Sequence, residues 1–190
     1  DIYAGWSPGL QSGRTLRLSA GWRSASDVFS AEFSGVPPVS SALAPIPADR
    51  DLAYPYLQAE WLTDDFHTTR NQNLIARTED LQFGLAALLQ VGIAAPALGA
   101  DRHALLLTGQ TGYGWQLSDQ QQLYAGAGFT GRVEQGRAVD LRSFADTSWY
   151  WRSSRRTVTH IRVAGNAGQE LDLDHYFLLG GDNGLRGYPL

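Results

Sequence analysis

The sequence predicts an all-β chain whose strands form an antiparallel sheet of the transmembrane β-barrel type. Apolar residues recur at every second position, which is strand periodicity because successive side chains of a strand point to opposite faces of a sheet. The alternation lasts ten to sixteen residues in most segments, longer than the ~5–6 residues of a typical soluble strand and enough to cross a bilayer. Tryptophans fall near the ends of the segments, where a membrane interface would lie.

The composition narrows the classes of function. The 190 residues and the net charge of −4 predict one β unit and give no case for nucleic-acid binding. There is no cysteine, so neither a disulfide framework nor a thiolate metal site is expected. The basic residues are all arginine, and no run of apolar residues is long enough to predict a transmembrane helix. Because there is no methionine and Asp1 opens directly into sheet-like sequence, we expect the chain to be part of a longer protein.

Eight segments alternate clearly, and residues 2–6 predict a further partial strand. Residues 83–98 are rich in Ala and Leu, but the period of two across them excludes a helix. The predicted strands are residues 14–23, 28–35, 54–67, 79–93, 103–116, 121–133, 137–152 and 156–165. The predicted connections, rich in Gly, Pro or polar residues, are residues 24–26, 37–51, 70–78, 94–102, 117–120, 134–136 and 153–155.

The two faces of these strands differ in polarity. The longest run places Leu81, Phe83, Leu85, Ala87, Leu89, Val91 and Ile93 on one face. A soluble β-sandwich with one polar face would show the same alternation, and it stays open as an alternative. In a barrel the apolar face meets lipid, represented by Leu57, Leu85, Leu107, Phe129, Leu141 and Ile161. The polar face would then line a wet lumen, and it carries Glu60, Gln82, Gln110, Arg132, Asp140, Arg142, Asp146 and Arg162.

The tryptophans and the connection lengths predict an orientation. Trp22, Trp115, Trp149 and Trp151 lie beside the short connections 24–26, 117–120 and 153–155, as expected for an interfacial girdle. The looser connections fall at the opposite end of an up-and-down sheet, although 70–78 and 134–136 blur this rule. Outer-membrane barrels have short periplasmic turns and longer outer loops. The terminal Gly-rich stretch is therefore predicted on the cell-surface side.

That terminal stretch, residues 180–190, contains one Arg between apolar residues and glycines. Its glycines permit a positive φ and a close approach of the backbone, and Arg186 supplies a fixed fork of donors that suits a carboxylate. The composition is typical of a tight loop that threads one cation into a confined place. An exposed surface loop with an incidental Arg is the alternative that composition leaves open.

Residues 177–188 resemble the loop signature of the BamA/TamA-like outer-membrane superfamily, also called the bacterial surface antigen family. The core of that signature is an aliphatic residue, Arg, Gly, and then Phe or Tyr, with a Gly-Gly pair shortly before it. The matching residues here are Gly180, Gly181, Leu185, Arg186, Gly187 and Tyr188. Residues 54–85, which include the pairs Asp64-Asp65 and Glu79-Asp80, also resemble barrel strands of that family.

The resemblance implies a fold and a function. Members have a sixteen-stranded barrel preceded by periplasmic modules, and the signature loop folds back into the lumen, where its Arg meets an acidic residue of a later strand. By this likeness, residues 1–190 are one partial barrel domain of about eight to nine strands, and residues 177–190 are the lumen-folding loop. Such proteins lie in the bacterial outer membrane and insert barrel proteins or translocate polypeptides. The partners implied are membrane lipid, unfolded polypeptide substrates, and the remaining strands and periplasmic modules of the same protein.

The residues give no support to an enzyme, a metal or a cofactor. His67, His103, His160 and His175 show no helical metal-ligand spacing, and His160 is interpreted as a polar wall residue. Asp172 and Asp174 lack the Gly and terminal Glu of a calcium loop, so they are predicted to be solvated loop carboxylates. The function predicted is protein insertion or translocation. The alternatives are a passive structural barrel or pore, or a barrel that anchors a fused hydrolase.

Overall fold

A computed structural model describes residues 1–30, 45–70, 72, 77–154 and 157–177. The described chain is all-β, with one short 3-10 turn at Pro96–Leu98. None of its helices is long and apolar enough to cross a membrane. The strands are β1 (Ile2–Trp6), β2 (Arg14–Asp27), β3 (Arg50–Thr63), β4 (Asp65–Arg70), β5 (Thr78–Ala94), β6 (Ala104–Ser118), β7 (Gln121–Glu134), β8 (Arg137–Arg152) and β9 (Val158–Gln169).

The nine strands form one antiparallel sheet in the order β1-β2-β3-β5-β6-β7-β8-β9, with β4 paired to β5. Within the described residues β1 pairs only with β2 and β9 only with β8, so the sheet is open at both edges. The predicted antiparallel all-β fold is therefore confirmed. The sheet has nine strands, one of them arising because the predicted strand 54–67 is divided at Asp64 into β3 and β4. The helical alternative over residues 83–98 is excluded, because β5 spans most of them.

Two connections are tight turns with a left-handed backbone. Ser12 and Gly13 have φ of 50° and 74°, and Gln135 and Gly136 have φ of 50° and 79°. A positive φ at both central residues is the property of the type I′ turn, whose twist matches that of the flanking strands. The first turn closes the bridge between Gln11 and Arg14, at the end of the connection between β1 and β2, and the second joins β7 directly to β8. The predicted connection at 134–136 is thus a two-residue turn in the structure.

The predicted turn at residues 24–26 is wrong. Strand β2 runs through them, and Ser24, Ala25 and Ser26 pair with residues 51–53 of β3. The three residues include no Gly, Pro or Asn to break a strand, and pairing with β3 satisfies their backbone groups. The predicted strand 28–35 is not formed at residues 28–30, and its remainder lies outside the described residues.

The predicted run of seven alternating positions in β5 is interrupted at Gly84, which has a φ of 78°. The part of β5 that precedes Gly84 pairs with β4 and not with β6. Residues 65–70 and 78–83 thus form a hairpin. The ring of Phe83, predicted to lie on the apolar face, packs instead on Tyr124 of the polar face, with ring centroids 5.1 Å apart. Only glycine adopts this backbone without strain, so Gly84 redirects the hairpin.

Cross-strand pairs place apolar and polar residues on opposite faces of the sheet. One row across six strands reads Leu18, Ala59, Leu89, Gly109, Phe129 and Ser143. The adjacent row, one residue along each strand, reads Ser19, Gln58, Gln90, Thr108, Thr130 and Arg142. We call these the apolar face and the polar face. Leu57, Leu85, Leu107, Phe129, Leu141 and Ile161 all share the apolar face.

The polar face is the more buried of the two. Tyr54, Tyr56 and Gln90 on that face are buried, whereas Leu57 and Ile161 on the apolar face are 68% and 53% exposed. A soluble protein buries its apolar side chains in preference to its polar ones. Among the described residues no second sheet covers the apolar face. The distribution of burial is therefore the reverse of that in a soluble sandwich.

Aromatic rings lie against glycines of the neighbouring strand on the polar face. A Cβ placed on Gly21 would come within 2.6 Å of the Tyr56 ring, and one placed on Gly128 within 2.6 Å of the Phe144 ring. Each ring needs a partner without a side chain, because any Cβ would occupy the space of the ring. The glycines of the alternating pattern thus allow large rings to cover the polar face closely.

Candidate functional site

A cluster of paired charges lies at one end of the polar face, at the end of the sheet that carries the β2–β3, β5–β6 and β7–β8 connections. Its centre is two arginines, Arg50 at the start of β3 and Arg132 near the end of β7. Both are buried, with 8% and 7% of their surface exposed. A buried guanidinium requires a carboxylate partner, and here two of the partners, Asp172 and Asp174, follow β9.

Asp172 and Asp174 join the two arginines. Arg132 donates two hydrogen bonds to the carboxylate of Asp172, at 2.6 and 2.7 Å. Arg50 donates to both oxygens of Asp174, at 2.9 and 2.7 Å, and also to Asp172 at 2.6 Å. Paired contacts of this kind are the strongest that arginine makes with a carboxylate. The prediction that Asp172 and Asp174 are solvated loop carboxylates is therefore wrong.

Further charges complete the arginine–aspartate cluster. Arg50 also donates to Asp27, which lies opposite it on β2, at 3.1 Å. Arg132 is also bonded to Glu134 through its Nε. Asp140 of β8, which is 4% exposed, contacts three positive or potentially positive groups. The distances are 2.8 Å to Nδ1 of His175, 3.4 Å to Arg142 and 3.9 Å to Arg132.

Backbone geometry brings residues 170–177 back over the sheet. Asp140 has a φ of 49° at an irregularity in the β7–β8 pairing, and its N–H donates to the Glu170 carbonyl at 2.7 Å. The Leu171 side chain lies against Gly168, where a Cβ would come within 2.7 Å of it. The N–H of His175 donates to the Asp172 carbonyl at 2.9 Å, which closes a turn. The chain therefore reverses after β9 instead of continuing outward.

The arginines hold the two aspartates in their charged form. Hydrogen bonds from Arg50 lower the pKa of Asp174 to about 2, from an ordinary value of 3.8. Hydrogen bonds from Arg132 likewise lower the pKa of Asp172. A depressed folded-state pKa contributes stability above the ordinary value, and that stability is lost as the pH falls through the folded-state pKa. Asp172 and Asp174 are thus charged at neutral pH, and their pairing with the two arginines weakens only in strong acid.

Three groups of the cluster also have the chemistry of metal ligands. Ligand atoms of Asp140, Asp172 and His175 all lie within 4.8 Å of one another. Asp172, however, already accepts hydrogen bonds from two guanidinium groups, and Asp140 is paired with His175. A cation at this point would lie beside Arg132, which repels it. We therefore interpret the cluster as an ion-pair network and not as a metal centre.

The opposite end of the polar face is covered by the hairpin of β4 and β5. Phe83 is 2% exposed and packs between His67 and Tyr124, at centroid distances of 4.5 and 5.1 Å. The row of rings continues through Tyr150 to His160, which stack at 4.2 Å. Arg152 of β8 donates to the carbonyl of Arg70 at 3.0 Å and holds the hairpin in place.

The other predicted polar residues are spread along the polar face. Glu60 pairs with Arg17 at 3.3 Å, and Asp146 pairs with Arg162 at 3.5 Å. Gln110 is exposed, and Nε2 of Gln82, on the hairpin, donates to the Thr63 carbonyl at 3.4 Å. Of the predicted set, the structure brings Arg132, Asp140 and Arg142 together in the cluster, and it pairs Asp146 with Arg162 away from the cluster. The predicted loop residues Gly180, Gly181, Leu185, Arg186, Gly187 and Tyr188 lie outside the described residues.

Three of the four predicted girdle tryptophans share one end of the apolar face. Trp115 and Trp149 lie opposite Leu123 on either side, and the rings of Trp149 and Trp151 stack at 6.2 Å. These residues lie beside the turns that follow β6 and β8. Trp22 differs, because the turn predicted next to it does not exist. It lies within β2, opposite Pro55, and nearer to the other end of the sheet.

Sequence reasoning missed six members of the cluster: Asp27, Arg50, Glu134, Asp172, Asp174 and His175. Their local pattern carries no signal, because the partners of Asp172 and Asp174 are separated from them by 40 to 124 residues. The only sequence signal for these ion pairs was the presence of two aspartates, Asp172 and Asp174, after a predicted sheet whose polar face carries arginines. Comparison of the chain with protein-family models, with curated proteins and with solved structures found no match.

Proposed function

We propose that the sheet is part of the wall of an outer-membrane β-barrel that inserts or translocates polypeptides. The observation that carries the membrane part of the proposal is the reversed burial of the two faces. Between Leu85 and Ile93, and between Leu105 and Trp115, the apolar face has no charged residue, and its side chains are exposed or half-buried. Such a face is costly in water and suited to hydrocarbon.

Closure is part of the proposal. An open sheet edge in hydrocarbon leaves backbone N–H and C=O groups without partners, at a cost of several kcal/mol each. The free edges of β1 and β9 would therefore pair with further strands in the membrane. The stack of Trp149 and Trp151 at one end of the apolar face has the position of an interfacial aromatic girdle.

The insertion or translocation activity rests on the likeness of residues 177–188 to the BamA/TamA-like signature. The arginine–aspartate cluster supports this proposal. It shows that the polar face can hold buried arginines paired with carboxylates, which is the contact that the resemblance implies for Arg186. The proposed substrates are unfolded polypeptides, and no cofactor takes part.

A pair of single-cysteine variants tests the membrane wall. The chain has no cysteine, so Leu89→Cys and Gln110→Cys each carry one environment-sensitive fluorophore in the intact protein. Leu89 lies on the apolar face and is 49% exposed, and Gln110 is an exposed residue one row away on the polar face. We expect nitroxide-labelled lipids to quench the label at residue 89 several-fold more strongly than the label at residue 110. Equal quenching would contradict the wall.

Arg186 tests the activity. We expect Arg186→Ala in the intact protein to lose insertion or secretion activity and to leave residues 177–190 more accessible to protease. If the partner carboxylate is buried, the loss of stability is about 3–5 kcal/mol. Arg186→Lys should rescue only in part, because the bidentate fork is lost. The assay follows the folding of a urea-unfolded barrel protein into vesicles that contain the intact protein, with empty vesicles as the control.

The alternative function is a passive structural barrel or pore. It shares the wall and the polar face but needs no arginine in the terminal loop. Full activity and unchanged protease accessibility in Arg186→Ala would remove the main argument for insertion or translocation and favour the passive barrel. A barrel that anchors a fused hydrolase would show hydrolysis in the intact protein that persists in the same variant.

A further inference from the structure

We propose that residues 171–177 form an electrostatic strap, which covers one end of the polar face and detaches from the sheet as a unit. The strap follows β9 and turns back across the sheet to Arg50 of β3. It thereby bridges strands that are far apart in the sheet order, from β9 past β8 and β7 to β3. The inference stands without the proposed function, because it concerns two arrangements of this chain alone.

Charge, and not apolar burial, holds the strap. Leu173 and Tyr176 are 59% and 70% exposed, and Phe177, which lines a cavity of the polar face, is still 43% exposed. Leu171, at the start of the strap, lies against Gly168 of β9. The attachment consists of the ion pairs of Asp172 and Asp174, together with the contact between His175 and Asp140. A segment that buries little apolar surface opens with a small free energy.

The sheet keeps partners for both arginines when the strap leaves. Arg50 retains Asp27 at 3.1 Å and the ring of Phe29, whose centroid lies 5.4 Å from the guanidinium carbon. Arg132 retains Glu134 and the more distant Asp140. A buried charge that loses every partner is strongly destabilising, but neither arginine does so here. Two arrangements with paired arginines are what a releasable contact requires.

Detachment would open a cavity on the polar face. Phe177, at the end of the strap, lines a cavity of about 360 Å³ together with Thr108, Gln110, Arg142 and Phe144. The rest of the lining comes from β6, β7, β8 and β9, so the cavity lies over the carboxy-terminal half of the sheet. The strap therefore controls access to the polar face from the end that carries the arginine–aspartate cluster.

A distance measurement tests the strap in the intact protein. Cysteines at Leu173, in the strap, and at Asp119, in the turn between β6 and β7 at the opposite end of the sheet, carry two spin labels. We expect one narrow distance in this labelled protein. Adding Asp172→Asn and Asp174→Asn should replace it by a broad distribution, because the strap loses its charges while no strand residue is changed. The matched control is Asp146→Asn, which removes the pair with Arg162 but does not touch the strap.

The circular dichroism of the sheet is recorded for each variant to separate release from unfolding. Loss of the narrow distance with an unchanged sheet signal, in the strap variant and not in the control, supports the strap. An unchanged narrow distance in the strap variant would overturn it, since other contacts would then hold the segment. Loss of the sheet signal together with the distance would also overturn it, because the segment would then be an inseparable part of the fold.

Discussion

Replacement of Arg132 by methionine is expected to destabilise the protein by about 1.5–3 kcal/mol, because it removes the charge-assisted hydrogen bonds that Arg132 donates to Asp172 and Glu134. Arg132 is 7% exposed and bonds to Asp172 and Glu134, with Asp140 3.9 Å away. Methionine keeps much of the side-chain volume, so the effect reports the lost charge and not a cavity. Urea unfolding in detergent or lipid, followed by tryptophan fluorescence, measures the change.

Arg162→Met is the matched control for this substitution. Arg162 lies on the same face and pairs with Asp146 at 3.5 Å, but its side chain is 60% exposed. Exposed ion pairs contribute about 0–1 kcal/mol, so the control should remain close to the wild-type stability. Equal effects of the two substitutions would mean that the arginine–aspartate cluster is no more stabilising than a surface pair.

Phe83→Ala is expected to cost about 3–5 kcal/mol, as for other large-to-small substitutions of buried aromatic residues. Phe83 is 2% exposed and is the contact between the β4–β5 hairpin and Tyr124 of the sheet. Its removal should free the hairpin before the rest of the sheet unfolds. Hydrogen exchange of the β4 amides, residues 65–70, should therefore accelerate more than that of β7.

Phe66→Ala offers the same chemical change on the same hairpin. Phe66 is 58% exposed, and exposed positions of this kind usually change stability by no more than about 0.5 kcal/mol. If Phe66→Ala accelerated exchange in β4 as much as Phe83→Ala does, the hairpin would be sensitive to any loss of side chain. The role of Phe83 as its anchor would then be refuted.

The strands that the sequence located best are those with both a clear alternation and a short turn at each end. Residues 121–133 and 137–152 were predicted as strands, and the structure has Gln121–Glu134 and Arg137–Arg152. The two signals are local, so they can be read from neighbouring residues alone. The assignment of residues to the two faces depends on the same alternation.

The errors occur where the structure depends on partners distant in sequence or on one backbone angle. The turn predicted at 24–26 is absent because β3 supplies partners for β2 there. Phe83 lies on the polar face because Gly84 adopts a positive φ. The φ angle of a glycine within a strand cannot be predicted from the sequence. Asp172 and Asp174 were predicted to be solvated because their partners, Arg50 and Arg132, are distant from them in the sequence.

The order of the strands also bears on the entropy of assembling the sheet. Residues 28–49, which join β2 to β3, form a connection about ten times as long as the two-residue turns at 119–120 and 135–136. Closing it costs about 2 kcal/mol more, since the penalty grows with the logarithm of loop length. The meander β6-β7-β8 can thus nucleate by local contacts alone, whereas β1 and β2 must join it as a unit across the long connection. Residues 153–157, which join β8 to β9, form a much shorter connection, so growth of the sheet from this meander costs less towards its carboxy-terminal edge than towards β1 and β2.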